Sequence, residues 1–357
     1  MSRLVIAKTV DRLRYVVSLA SGYCLPFGVL LSRLSLKPLT LGFQTTDYCN
    51  AKCIFCDSRN IHKTRGAMPM EIFKKGLADF VDIGGGNLSF TPPVGEPLLD
   101  PLLLERIRYA RAFKEIKDIG FFTNGIALDK FESGEILKSG VTTIIISFDN
   151  FNRESYERIF GVDEFEHAYR NIIGLATANR ERSEPVRIEV ALRIERPIRE
   201  IAREPLYRQM ATLLPVHYQY RMADRSSTTA QQDLPGIMHL KKSRAKHKPC
   251  CVLYADGPMI LRNGDVVICG CRDVSASPEL LLGNILSESL IALWRSDKLR
   301  EVRLGFSCGS VPDACRHCSD YNEPRILRTI ETWKAARESV RVFLASQYAR
   351  RTAKGGE

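Results

Sequence analysis

The sequence predicts an α/β protein: a partial (β/α)6, TIM-like barrel followed by a small cysteine-rich C-terminal domain and a terminal helix. Three observations predict it. Six apolar, β-branched runs alternate with helical stretches between residues 39 and 222; that alternation stops after residue 222; and the last third of the chain concentrates cysteine and glycine. Strands alternating with helices imply parallel βα units. Right-handed crossovers roll such a sheet into a barrel or part of one, with polar chemistry at the C-terminal strand ends.

The elements follow in order. LTLGFQTT (39–46) is a strand, and Pro69 to Val81 a helix with proline at an early position and apolar residues at helical spacing. NLSFT (87–91) is strand-like, 100–115 helical, GFFTN (120–124) strand-like, and a short helix runs to about Lys138. TTIIISFD (142–149) is a buried strand, 153–180 one long helix, VRIEVALRI (186–194) a strand, 198–213 a helix and VHYQYRM (216–222) the sixth strand. The polar stretch 223–248 reads as a linker. The cysteine-rich domain spans 249–323, a terminal amphipathic helix 324–350, and an N-terminal helical segment 1–37.

Composition sets the broad class. At 357 residues, 45% hydrophobic and 26% charged, the chain is an ordinary globular protein rather than a disordered one. The net charge of +11 favours anionic partners, but the basic residues are scattered and form no basic–aromatic platform, so no nucleic acid is expected. The apolar stretch 14–36 is broken by Gly22, Pro26 and Gly28, too interrupted for a membrane span; peripheral membrane contact is a minor alternative. The start of the chain has no secretory pattern, which predicts a cytoplasmic protein with reduced thiols. Eleven cysteines in tight spacings then point to metal rather than to disulfides.

Cys49, Cys53 and Cys56 follow the first strand as C-x3-C-x2-C. Three thiolates from one short loop can hold three corners of a cubane and leave the fourth iron open for a small molecule. A zinc knuckle completed by His62 is the alternative. This loop, with aromatic Phe55 before its last cysteine, resembles the radical S-adenosylmethionine (SAM) superfamily. The resemblance implies that SAM chelates the open iron of a [4Fe–4S] cluster. Reduction then cleaves SAM to a 5′-deoxyadenosyl radical, which abstracts hydrogen from a substrate. Gly95-Glu96-Pro97, in PPVGEPLLDP, resembles the family's Gly-Gly-Glu-Pro motif for the methionine amino group, with Val94 in place of the first glycine. A Gly/Pro-rich loop can aim carbonyls and a carboxylate at an ammonium. Thr123-Asn124-Gly125 and Ser147-Phe148-Asp149 resemble segments lining the cofactor and substrate cavity. Ser147 is a candidate for the methionine carboxylate or the ribose. Arg193 is a candidate for the carboxylate, or else pairs with Glu189 or Glu195.

The C-terminal third resembles the SPASM/twitch auxiliary-cluster extension of the same superfamily. Cys251, Gly264 and Cys269 form C-x12-G-x4-C, LGN follows at 282–284, and Cys315-x2-Cys318 comes last. Arg262 to Asp265 predicts a hairpin turn. The resemblance implies an iron–sulfur domain in which Cys251, Cys269, Cys315 and Cys318 ligate one auxiliary [4Fe–4S] cluster. Cys250 is an alternative to Cys251; a zinc ribbon with the same ligands is the rival metal site; and Cys24, Cys271 and Cys308 have no assigned role.

The predicted function is therefore a radical SAM enzyme of oxidoreductase type. It would dehydrogenate a small sugar-like molecule, with the auxiliary cluster accepting an electron and a flavodoxin or ferredoxin as reducing partner. Only about forty residues precede the first strand, few for a leader-binding domain, which favours a small molecule over a peptide. A peptide-modifying maturase and a non-catalytic zinc or iron–sulfur protein are the alternatives. Asp149, Tyr218, Tyr220 and Arg221 are the candidate general bases.

Overall fold

The computed structural model describes residues 37–56, 65–223, 230–242, 250, 253, 257–270, 277–316 and 318–319. The N-terminal segment up to residue 36 and the terminal helix at 324–350 lie outside them.

Six strands run parallel and neighbour one another in chain order: β1 (Thr40–Phe43), β2 (Gly86–Ser89), β3 (Ile116–Thr123), β4 (Thr143–Asp149), β5 (Arg187–Arg193) and β6 (Val216–Gln219). Between them lie α1 (Met70–Asp82), α2 (Leu103–Arg111), α3 (Ser133–Lys138), α4 (Arg153–Phe160), α5 (Phe165–Arg180), α6 (Ile198–Ile201) and α7 (Pro205–Leu213). Alternate residues of β2, β4 and β5 bury one face against these helices, whereas β6, at the edge of the sheet, buries none of its residues. Phe43 of β1 packs on Phe73 of α1 at 4.9 Å between ring centroids, and Phe148 of β4 on Tyr156 of α4 at 5.4 Å. The other face, carrying Ser89, Phe122, Ser147 and Arg193, is the lumen side; these four residues are half-buried or exposed.

The sheet does not end at β1. A pair of short strands, β7 (Arg221–Met222) and β8 (His239–Leu240), forms a separate two-stranded sheet. Then β9 (Met259–Ile260) pairs parallel with β1, and β10 (Asp265–Val267) and β11 (Leu281–Asn284) add antiparallel, giving nine strands in the order β11-β10-β9-β1-β2-β3-β4-β5-β6. The cysteine-rich region thus extends the barrel sheet itself. Three helices complete it, α8 (Leu290–Trp294), α9 (Asp297–Cys308) and α10 (Asp313–Arg316), around a second core of Leu253, Ile268, Leu280, Trp294, Leu299 and Phe306.

Several elements differ from the sequence reading. The single helix expected over 153–180 is two, because Gly161 takes a left-handed φ of 67° and caps α4 through its N–H on Glu157. The helix over 198–213 is interrupted because Pro205 starts a new helix and Glu204 before it is extended. The helix over 100–115 is a 3-10 turn at Pro97–Leu99 followed by α2. The strand over 216–222 splits at Tyr220: its last residues pair with β8, which lies in the stretch expected to be a plain linker. Among the described residues no helix is long and apolar enough to cross a membrane.

Candidate active site

The site is assembled at the C-terminal ends of β1 to β5. After β1 the chain enters the cysteine loop, and its return is zipped to its entrance. Thr46 and Ala67 form an antiparallel bridge, the Met68 N–H donates to the Thr45 carbonyl at 2.7 Å, and the Gly66 N–H to Asp47 Oδ1 at 2.6 Å. Farther along, the Lys52 and Ile54 N–H groups donate to the Phe160 and Ile159 carbonyls at 2.8 and 3.0 Å, so the loop rests on the open C-terminus of α4. Glycine is required next to that contact: a Cβ on Gly161 would stand 2.7 Å from the Lys52 carbonyl oxygen.

Cys49, Cys53 and Cys56 are half-buried and unbridged. Burial pushes the Cys49 thiol up to about 11, with the charges of Glu96 and Cys56 adding to it. Cys53 is raised further, again by burial, and feels both other thiols. Burial thus disfavours the thiolate forms of Cys49 and Cys53, and the positive charge of a bound iron–sulfur core would stabilise them. Among the described residues no three His, Cys, Asp or Glu side chains converge on a common metal-ion position.

The Gly95-Glu96-Pro97 segment packs against this loop. Gly95 has φ of 123°, and a Cβ there would lie 2.5 Å from the Thr46 carbonyl oxygen. The Glu96 N–H donates to the Tyr48 carbonyl at 2.7 Å. The sequence suggested a carboxylate aimed at a ligand ammonium; the structure turns Glu96 inward. One oxygen accepts from Thr123 Oγ1 at 2.6 Å and from the Leu98 N–H at 3.3 Å, the other from the Asn124 N–H at 2.8 Å. Complete burial raises this carboxyl to about 7 despite those three donors. Pro97 opens the 3-10 turn that follows, which the buried pair Asp100–Arg106 (2.9 Å) fixes; Arg106 also donates to the Met68 carbonyl at the loop's return.

Asn124 Nδ2 donates to Asn50 Oδ1 at 2.7 Å, tying β3 to the cysteine loop. Ser147 lies on the lumen face of β4 and is half-buried. Arg193, opposite Asp149 in the β4–β5 register, lays its guanidinium over the Phe55 ring at 4.2 Å. Its two suggested carboxylate partners are engaged elsewhere, Glu189 by Arg187 at 2.6 Å and Glu195 by Arg158 at 2.6 Å. Of the candidate bases, Asp149 faces the lumen. It is fully buried, Oδ1 accepts from the Asn150 N–H and side chain, Oδ2 has no hydrogen-bond partner, and burial raises its pKa well above the carboxylate range. Tyr218 pairs in register with Leu192 and so belongs to the helix-facing side of β6; Tyr220 stacks with His239, and Arg221 lies over the Tyr220 ring.

The second constellation is partly described. Cys250, Cys269 and Cys315 all pack on the second core, and the Cys318 N–H turns back to the Cys315 carbonyl at 3.2 Å. Cys251, Cys271, Cys24 and His62 lie outside the described residues. Cys308, at the end of α9, is exposed with its thiol toward the Gly305 carbonyl. The predicted hairpin forms between β9 and β10, with Gly264 at φ of 89° and Asn284 of LGN donating to Asn263 O and Asp265 Oδ1.

Residues 43–184 match the family model described as the radical SAM superfamily, and residues 248–319 the SPASM model, described as an iron–sulfur cluster-binding domain. The chain belongs to the radical SAM superfamily and carries a C-terminal SPASM domain. These domains imply [4Fe–4S] clusters and SAM. Among curated proteins, it is 29% identical over 138 residues to GTP 3′,8-cyclase of Chlorobaculum tepidum, 39% of this chain and 41% of that one; the chain thus spans less than half the length of this relative. Among solved structures, anSMEcpe with bound AdoMet superposes with a TM-score of 0.56 at 16% identity, covering 87% of this chain and 99% of that one. BtrN in complex with AdoMet and 2-DOIA gives 0.50 at 15% identity, covering 79% and 93%. These likenesses place the fold among the TIM-like barrels of radical SAM enzymes.

The sequence reading missed the residues that hold this radical SAM site in shape: Asp47, Asn50, Asp100, Arg106 and Gly161. Asp47 and Asn50 find partners far along the chain, Asp100 and Arg106 are told from a surface pair only by their burial, and Gly161 hides inside a helical pattern.

Proposed function

We propose that the protein is a radical SAM enzyme that removes two hydrogens from a small polyhydroxylated, sugar-like substrate. When bound, the first cluster and SAM supply a hydrogen-abstracting adenosyl radical, and the auxiliary cluster supplies an electron acceptor. Cys49, Cys53 and Cys56 would hold the first cluster. Cys269, Cys315 and Cys318, with Cys251 or Cys250, would hold the second.

The chain's own residues do the positioning. Glu96 fixes the ends of β2 and β3 through Thr123 and Asn124, so the loop around Gly95 presents backbone to the ligand. Arg193 on Phe55 places a cation beside the last cysteine, where a methionine carboxylate would lie, with Ser147 as a hydroxyl partner one strand away. Asp149, with an unpartnered oxygen and raised basicity, is placed to hold a substrate hydroxyl proton.

The observation that carries the substrate class is the lumen face. Phe122 stands 42% exposed there, an apolar platform beside Thr91, whose Oγ1 accepts from the Phe122 N–H at 3.1 Å, and on the same face as the half-buried Ser89. An exposed aromatic face beside hydroxyl groups suits a sugar, which has apolar C–H faces and hydroxyl edges.

The test is anaerobic cluster reconstitution, then dithionite, SAM and a panel of sugars, aminocyclitols and peptides. About eight irons per chain, 5′-deoxyadenosine release and a polyol product lighter by two hydrogen atoms are expected. Turnover of a peptide and of no polyol would refute the substrate class. Zinc in place of iron, or iron without deoxyadenosine, would refute the reaction.

A further inference from the structure

Asp47 lies two residues before the first cysteine, and its carboxylate makes two bonds that have nothing to do with the motif. Oδ1 accepts from the Gly66 N–H at 2.6 Å, on the returning limb of the cysteine loop. Oδ2 accepts from Nε of Arg262 at 2.8 Å, from a residue 215 positions away in the hairpin turn of the SPASM domain. Both side chains are largely shielded, at 14% and 29% exposure, so water does not screen the pair as it would a surface one.

The guanidinium does more than meet Asp47. A Cβ on Gly66 would sit 3.1 Å from Nη1 of Arg262, so the group lies close over the glycine of the returning limb. The loop's entrance and exit are therefore covered by one side chain. The hairpin that carries Arg262 is itself rigid. Asn284 braces the turn at Asn263 and Asp265, and β9 is bonded along β1, with Gln44 N–H on the Ile260 carbonyl at 2.9 Å. The strand that feeds the cysteine loop and the turn that clamps it are one continuous piece of sheet.

We infer that Arg262 is a positioning residue through which the SPASM domain holds the first cluster's loop closed at its base. The inference concerns loop closure and stands whether or not the substrate is a sugar. Arg262→Gln removes the charge while leaving a polar side chain. Asp47→Asn removes the same ion pair from the barrel side and keeps an acceptor for Gly66.

Amide hydrogen exchange on the full-length chain reads the clamp without any bound group. In Arg262→Gln, exchange over residues 45–48 and 65–68 is expected to rise on the order of tenfold, the worth of one charge-assisted hydrogen bond, with strands β3 to β5 unchanged. Asp47→Asn should match it, and the double variant should be no worse than either single one. In reconstituted protein, iron of the first cluster should be lost to a chelator faster while the auxiliary cluster persists. Wild-type exchange at both segments in Arg262→Gln, or effects of the two substitutions that simply add, would overturn the inference.

Discussion

Glu96 is the buried carboxylate around which the site is built, and glutamine in its place isolates its ionisation. Its carboxyl is raised from 4.5 to about 7, with burial as the first cause. The sign follows from linkage. A carboxyl that is harder to ionise in the folded state costs nothing below its unfolded pKa. The cost grows as pH rises between the two pKa values and is complete above the folded one. Between about pH 5.5 and about pH 8 the folded state should therefore lose about 2 kcal/mol through this one group. Glu96→Gln carries no titrating proton, so it does not lose that stability. It does lose an acceptor for Thr123 or Asn124, an offset of about 1–3 kcal/mol that does not change with pH. Urea unfolding of both proteins across that pH range, without SAM, gives the difference directly. The variant's deficit should shrink by about 2 kcal/mol toward high pH. A difference between the two proteins that stays flat with pH would mean that Glu96 is ordinarily ionised and the buried-carboxylate argument fails.

Three further outcomes follow from the geometry. Gly95→Ala must place a Cβ 2.5 Å from the Thr46 carbonyl at a φ of 123°, so thermal unfolding should report a loss of about 2 kcal/mol or more, and an unshifted melting point would contradict the packing. Asp100→Asn leaves the buried Arg106 charge uncompensated and should cost about 3–5 kcal/mol; a cost below about 1 kcal/mol would show that the pair is not holding the turn. Cys53→Ala should lower iron content by about half and abolish deoxyadenosine formation while the auxiliary cluster remains; retained cleavage would sink the assignment of the first cluster.

The strands were legible because each is an apolar run whose alternate side chains must find the core, and β4, as TIIISFD, shows this in its sequence alone. The cysteine loop was legible because its three thiols stand close together in the sequence, directly after the first strand. What escaped was of two kinds. Breaks inside helical periodicity, at Gly161 and Pro205, do not disturb the apolar pattern and so hide in it, although the glycine and proline were visible markers. Long-range polar partners left no pattern at all: Asp100 with Arg106 looks like any surface i,i+6 pair until burial is known, and Asp47 with Arg262 spans both domains. Glu96 shows the same limit from the other side. Its motif suggests a carboxylate aimed at a ligand, and the structure gives that carboxylate three protein donors.

That brace bears on how the site recognises anything. The conspicuous polar residues at the strand ends are spent on one another: Glu96 on Thr123 and Asn124, Asn124 on Asn50, Asp47 on Gly66 and Arg262. The glycines around the cysteine loop serve close packing of protein on protein, and Arg193 stands beside the loop on its aromatic shelf. Discrimination between substrates then has to come from the lumen wall, where Phe122 and Ser89 are not committed to the scaffold's closure. Substitutions there should alter which molecule is taken, whereas substitutions in the brace should alter whether the site exists. The SPASM domain falls on the second side of that division, since its first strand extends β1 and its hairpin turn reaches the root of the loop.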